Sequence, residues 1–139
     1  MPPDPSAIDN ALVTKLASDT ALLALMPNGV AWDEAPANST KFVIVSLLSA
    51  LDEPKLGGRA REENVYLVKA VSRDPNANMQ GAAKRIDELL EGQPLTIVGY
   101  SLMVLRRVER VRFTEVDEVD RAIRWYHRGG HYELVAAVT

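Results

Sequence analysis

The segment from residue 42 to residue 51 is apolar at both its even and its odd positions. The even positions include Phe42, Ile44, Leu48 and Ala50, and the odd ones include Val43, Val45, Leu47 and Leu51. Successive side chains of a β-strand point to opposite faces of the sheet, so this pattern predicts a strand that is covered on both faces. Residues 65–71 repeat it. The chain must therefore protect both faces of its sheet.

Three helices are predicted from apolar spacing and end signals. Two short ones open the domain, over residues 6–17 and about 19–26. The longest begins with Asp74 as N-cap and Pro75 at the first helical position, where a missing amide hydrogen costs nothing. It closes at Gly92.

The remaining elements are strands and loops. Residues 30–32 are predicted to form a brief strand. Residues 52–63 are rich in charge and glycine, which predicts a long mobile loop. Residues 100–113 predict a long strand whose apolar parity changes, which a β-bulge near residues 106–110 explains. Parity also changes around Gly129 and Gly130, which indicates either a second bulge, our preferred interpretation, or a two-residue hairpin turn.

This order predicts an α+β domain with a mainly antiparallel sheet of four to five strands and one long and two short helices packed on one face. Residues 1–5, with three prolines, form a flexible arm, and residues 6–139 form a single domain. The helices cannot cover the second face. Another copy of the chain, a partner or edge-strand pairing would cover it, or else the sheet curls over itself.

Composition argues against most catalytic and membrane classes. The 139 residues include no cysteine, and two histidines separated by an Arg-Gly-Gly sequence do not make a metal pair on a strand. No phosphate loop, nucleophile elbow or dinucleotide fingerprint is present, so we expect no enzyme, cofactor or metal. No apolar run approaches the roughly 20 residues of a membrane span, and the start lacks a secretory signal. We expect a protein made in a cytoplasm.

The densest basic cluster is Arg106, Arg107, Arg110 and Arg112. With Phe113 and Trp125 nearby it could form a nucleic-acid surface. The alternative is that it pairs with the acidic segment 115–120 or with an acidic neighbouring subunit. A net charge of -3 gives no reason to expect tight nonspecific nucleic-acid binding.

Several short runs carry a resemblance to a known family. They are VRFTE at residues 111–115, IRWYHRGGHYEL at 123–134, PNGV at 27–30 and FVIVS at 42–46. Together with the order of elements from about Ala7 onward, they resemble the small tail terminator, or tail-completion, proteins of long-tailed bacteriophages.

The resemblance implies a virion structural protein without catalytic residues. Such subunits form a ring, usually of six, on the end of the tail tube, where they stop its growth and present a surface to the head-side connector. A ring needs two complementary patches on each subunit. The candidates for these patches are Arg59, Arg61, Val43, Val45, Leu47, Arg106, Arg110 and Trp125. DNA passing through the ring would not be bound specifically, and no membrane is involved. Another head-tail joining or head-completion protein, or a cytoplasmic small-ligand-binding domain, are the alternatives.

Overall fold

The computed structural model describes residues 3–56 and 58–139, except for the side chains of residues 55 and 59. Its elements in chain order are α1 (Ser6–Ala17), α2 (Thr20–Leu25), β1 (Val30–Trp32), β2 (Lys41–Lys55), β3 (Gly58–Ser72), α3 (Met79–Leu90), β4 (Tyr100–Val116) and β5 (Arg124–Val138). The α+β class is as predicted. The helix lengths are not, because α1 and α3 each have 12 residues and only α2, with six, is short.

The sheet has five strands in the order β1-β2-β3-β5-β4. The β1–β2 pair is parallel and the other three pairs are antiparallel, so the sheet is mixed. Among the described residues, the short β1 pairs only with Val43, Ile44 and Val45, and β4 pairs with no strand other than β5. One edge of β4 and the far half of one edge of β2 are therefore unpaired within the described chain.

The three helices pack on one face of the sheet, which we call the helix face; the other is the open face. The apolar side chains of α1, α2 and α3 share one buried cluster with strand residues of the helix face such as Val43, Val45 and Leu134. The longest described helices have 12 residues, and none of the described helices could span a bilayer.

Two tyrosines lie opposite each other at the centre of the helix face. Tyr66 in β3 and Tyr132 in β5 are register partners and are almost completely buried. The Tyr66 hydroxyl donates to Asp9 in α1, and the Tyr132 hydroxyl donates to Asp87 in α3 at 2.9 Å. Burial raises the pKa of both phenols well above the usual value. Each tyrosine thus ties a different helix to the sheet.

The prediction of a mobile loop over residues 52–63 is wrong. The structure continues β2 to Lys55 and begins β3 at Gly58, so the segment is the end of a long hairpin. An ion pair joins the strands there, because the Arg61 guanidinium contacts Glu53 across the hairpin. Arg61 also lies 3.4 Å from Glu63 in its own strand. Charge-rich sequence here reflects the exposure of the β2 end to solvent and not a missing strand. In β3, by contrast, Glu62 is buried.

The start of the last helix is also corrected. Asp74 and Pro75 form a turn, in which the Asp74 carboxylate accepts a hydrogen bond from the Asn76 amide at 2.9 Å. The helix begins at Met79, and Asn78 caps it by accepting from the Gly81 amide at 2.9 Å. Asp and Asn are both good caps, so the tertiary position of the helix decides between them.

The predicted irregularity of β4 is confirmed, because its register with β5 shifts between Arg107 and Glu109. Both interpretations of β5 are wrong, since β5 pairs with β3 from Tyr126 to Ala137 without a register shift. The apolar residues of β5 change from odd to even positions because the strand is covered on different faces along its length. Its first half packs the odd residue Trp125 on the open face, and its second half buries the even residue Tyr132 on the helix face. A Cβ added at Gly129 would lie 2.5 Å from the Cα of Lys69 in β3, so this position accepts only glycine.

Candidate subunit interface

The part of the open face nearest β1 covers itself. Phe42, Ile44 and Val71 form a small buried cluster, and Ala31 and Trp125 pack against it. The Trp125 ring centroid lies 6.1 Å from that of Phe42 at an interplanar angle of 58°, and its Nε1 donates to Asp117 at 2.9 Å. The expectation that another molecule must cover this face is therefore wrong for this patch, because one large aromatic ring substitutes for a helix.

A polar group sits beside this patch on β5 and β4. The His127 ring stacks on Phe113 at 4.3 Å between centroids, and its Nε2 lies 2.6 Å from a Glu115 oxygen. Its Nδ1 has no hydrogen-bond partner among the described residues. Burial lowers the pKa of His127, and the neighbouring Lys69 ammonium adds to this. His127 is thus held as neutral imidazole at neutral pH.

The two histidines do not converge on a common site. His131 lies on the same face as His127 but has its own partner, with Nδ1 at 3.2 Å from Glu109. Within residues 3–56 and 58–139, no three His, Cys, Asp or Glu side chains come together as metal ligands would. The acidic connection after β4 is engaged locally, since Asp117 accepts from the amides of Val119 and Asp120.

A cleft of about 280 Å³ opens between the segment after β1 and the Trp125 region. Its lining includes Asp33, Phe42, Lys69, Glu115 and His127. Three of these polar groups are already engaged. His127 and Glu115 contact each other, and the Lys69 ammonium lies 5.0 Å from the Phe113 ring centroid. The cleft therefore offers few free polar groups to a ligand.

An exposed apolar surface lies on the far half of the β2–β3 hairpin, which we call the distal hairpin (residues 47–62). Four leucines are exposed there: Leu47 by 44%, Leu48 by 50%, Leu51 by 65% and Leu56 completely. All side chains from residue 47 to residue 54 are exposed, on both faces of the strand. A register shift between Leu47 and Ser49 leaves Leu48 unpaired and turns it outward. Neither face of this section is covered.

The candidate residues divide between the two faces. Val43 and Val45 are fully buried beneath the helices, so their assignment to an exposed patch is wrong. Both the even and the odd positions of β2 are apolar, and the odd positions are the ones whose side chains pack against the helices. Leu47 belongs to the distal hairpin, as does Arg61 with its two carboxylate partners. The side chain of Arg59 lies outside the described residues.

Arg106, Trp125 and Arg110 are not brought together. Arg106 lies on the open face, 3.3 Å from Glu133 across the strand pair. Because of the register shift after Arg107, Arg110 lies on the helix face instead. Trp125 is on the open face, as described above.

Arg110 belongs to a cluster that the sequence suggests only in part. A cleft of about 250 Å³ between α3 and β4, here called the arginine groove, is lined among others by Lys84, Arg107, Arg110, Arg112 and Arg128. Arg112 and Arg128 are direct cross-strand partners. Arg107 lies 3.4 Å from Asp87, whereas Arg110, Arg112 and Arg128 form no ion pair within the described chain. Arg128 is identified only through the register, since it lies 16 positions after Arg112 in the sequence.

The chain shares its fold with solved structures of low sequence identity. No protein-family model matches the sequence, and no curated protein is similar enough to show a relationship. A protein chain in the structure of the virion of a native gene transfer agent particle is 20% identical, with a TM-score of 0.63 over 95% of this chain and 96% of that one. A second solved structure, which has no functional name, is 13% identical, with a TM-score of 0.57 over 98% and 96%. At such identities the likeness shows the fold.

Proposed function

We propose that this chain is a structural protein of a phage-like virion. In this proposal it assembles as a ring of six copies that caps the tail tube, ends tube polymerisation and joins the tail to the head-side connector. The distal hairpin is the observation that carries the proposal, because four of its leucines remain exposed in the described part of the chain. The fold likeness to a chain of a gene transfer agent virion supports the same class of role.

A ring accounts for the exposed leucines physically. Monomeric proteins seldom expose contiguous apolar patches of more than a few hundred Å². A ring contact is heterologous, so each subunit inserts one surface into a different surface of its neighbour. An extended hairpin, whose β2 strand is exposed on both faces, is suited to such insertion because it can be buried without moving the helix layer.

The proposed partners are further copies of the chain, the tail tube protein and the head-side connector protein. The ring would be assembled in the host cytoplasm and kept in the tail of the virion. It needs no cofactor and no enzymatic activity. DNA would pass through it without specific binding, because a net charge of -3 gives little attraction for phosphate.

The cleft beside Trp125 supports a second candidate, a small-ligand-binding domain, because apolar walls and polar groups meet there. It supports this role less well than the hairpin supports assembly. His127 and Glu115 hydrogen-bond to each other, and Trp125 donates to Asp117 rather than into the cleft. A titration of the tryptophan fluorescence with candidate metabolites would detect such binding.

The proposed role is tested by adding the protein to polymerising tail tube protein and measuring tube lengths by negative-stain electron microscopy. We expect shorter tubes with extra density at one end. A Leu48→Asp variant should fail to cap, because Leu48 is exposed and its substitution does not disturb the core, whereas the matched Leu48→Met variant should cap normally. Unchanged tube lengths with the wild-type protein, and no density at the tube ends, would overturn the proposal.

A further inference from the structure

The arginine groove holds more positive charge than the described chain compensates. Arg112 and Arg128 face each other directly across β4 and β5, and Arg110 follows on the same face opposite Gly130. Like charges directly opposite each other destabilise a strand pair. The one carboxylate lining the groove, Asp87, already accepts from Tyr132 and lies 3.4 Å from Arg107. The remaining three guanidinium groups are arranged to receive an anion from outside the subunit.

The opposite edge of the same sheet carries an acidic corner. Asp33 and Glu34 follow β1 directly, are exposed, and form no ion pair within the described residues. Asp33 has a φ of 57°, and its amide donates to the Val45 carbonyl at 3.0 Å, so the corner is fixed to β2. In the strand order β1-β2-β3-β5-β4, this corner and the arginine groove lie at the two ends.

We propose that the arginine groove of one subunit binds the Asp33–Glu34 corner of a second copy of this chain. The inference rests on the proposed ring, and it adds a pair of oppositely charged patches to the heterologous contact that the distal hairpin makes. Opposite sheet edges are suitable positions, because each subunit can then give its corner to one neighbour and its groove to the other. The groove, at about 250 Å³, has the size for one or two carboxylates.

The surroundings of the groove favour an acidic protein segment over a nucleic acid. Duplex DNA carries one negative charge per about 1.7 Å of its axis, so it would extend beyond the groove in both directions. On α3 and at its end it would meet Asp87 and Glu91, which both lie beside Arg107. These carboxylates repel a continuous phosphate backbone but leave room for a short acidic corner.

Charge reversal on each surface tests the proposal in the full chain. The groove-reversed variant is Arg110→Glu with Arg112→Glu, and the corner-reversed variant is Asp33→Asn with Glu34→Lys. Asparagine tolerates the positive φ at residue 33. Glutamate at residue 112 would face Arg128, so the folded subunit should keep or gain thermal stability. A melting curve therefore separates loss of assembly from loss of fold.

Native mass spectrometry in volatile salt near physiological ionic strength provides the readout. We expect the wild type to be oligomeric, and each reversed variant to dissociate with at least a tenfold weaker contact. Combining both reversals in one chain should restore the oligomer, since the exchanged charges again complement each other. The control Arg73→Glu with Arg121→Glu carries the same charge change as the groove-reversed variant, at two exposed arginines outside the groove, and should remain assembled.

Three outcomes would overturn the assignment. They are an intact oligomer in the groove-reversed variant, a combined variant that stays dissociated, and a wild type that remains monomeric at the highest soluble concentration. Fluorescence anisotropy with a DNA duplex gives a fourth: tight binding that only the groove-reversed variant loses would make the groove a nucleic-acid site. If wild-type rings cap tubes while the groove-reversed variant also forms rings, this inference fails and the proposed function stands.

Discussion

Replacing Leu51 with alanine should weaken assembly without weakening the fold. Leu51 lies in the distal hairpin with 65% of its surface exposed. Burying a whole leucine side chain stabilises a contact by about 2 kcal/mol, so covering this exposed fraction contributes about 1.3 kcal/mol. That is close to the 1.4 kcal/mol that corresponds to a tenfold change in an equilibrium constant. We therefore expect each subunit contact to weaken by about tenfold in the Leu51→Ala variant.

Sedimentation equilibrium over a concentration series measures this change, and thermal unfolding under dissociating conditions provides the stability control. Leu51→Met, which keeps most of the apolar surface, should assemble like the wild type. Leu134→Ala gives the opposite signature, because Leu134 is fully buried and its loss should destabilise the fold by about 2–5 kcal/mol. If Leu51→Ala lowered the melting temperature of the subunit and left its assembly unchanged, the distal hairpin would be part of the fold rather than an interface.

Three further predictions concern the subunit. Burial lowers the pKa of His127 below its ordinary value of 6.5, so near and below pH 6.5 the unfolded chain binds more protons than the folded chain. The stability of the fold should therefore decrease as the pH drops below 6.5. The melting temperature of a His127→Gln variant should lose this pH dependence. Gly129→Ala should destabilise the fold by about 1–3 kcal/mol in urea unfolding, because its Cβ would meet the β3 backbone. Loss of a helix cap alone costs about 1 kcal/mol, and Asp19→Ala should destabilise the fold by more than this, because Asp19 accepts hydrogen bonds from both Leu22 and Arg85. Asp19→Asn should retain the cap and lose the ion pair.

The sequence predicts those elements whose local pattern agrees with their burial. Helix α1 is predicted over residues 6–17 and spans Ser6–Ala17, since its apolar stripe meets the core along its whole length. The distal hairpin is missed because strand periodicity becomes visible only when one face is buried. Its β2 strand has solvent on both faces and is joined to β3 by charge pairs such as Arg61 with Glu53. A local pattern of this kind is indistinguishable from a loop.

The candidate interface is predicted less completely than the fold. The two parities of β2 are equally apolar, so the sequence does not tell whether Val43 or Phe42 faces the helices, and the choice made from it is wrong. The arginine groove depends on which residues of β4 and β5 are partners. Only the register places Arg128 opposite Arg112, and only the shift after Arg107 separates Arg106 from Arg110. Long-range pairing of this kind is absent from any local window of sequence.

The two central tyrosines have a consequence for how a subunit can adapt to its neighbours. Advancing α1 or α3 along its axis by one residue would move it about 1.5 Å and break the bond to Tyr66 or Tyr132. A buried hydroxyl left without an acceptor costs about 1–3 kcal/mol. Because the hydroxyls are on neighbouring strands and their acceptors on separate helices, any sliding of the helical layer breaks at least one bond. Adjustment to a curved assembly would therefore be confined to the strand ends, while the helical layer and the centre of the sheet move together as one rigid unit.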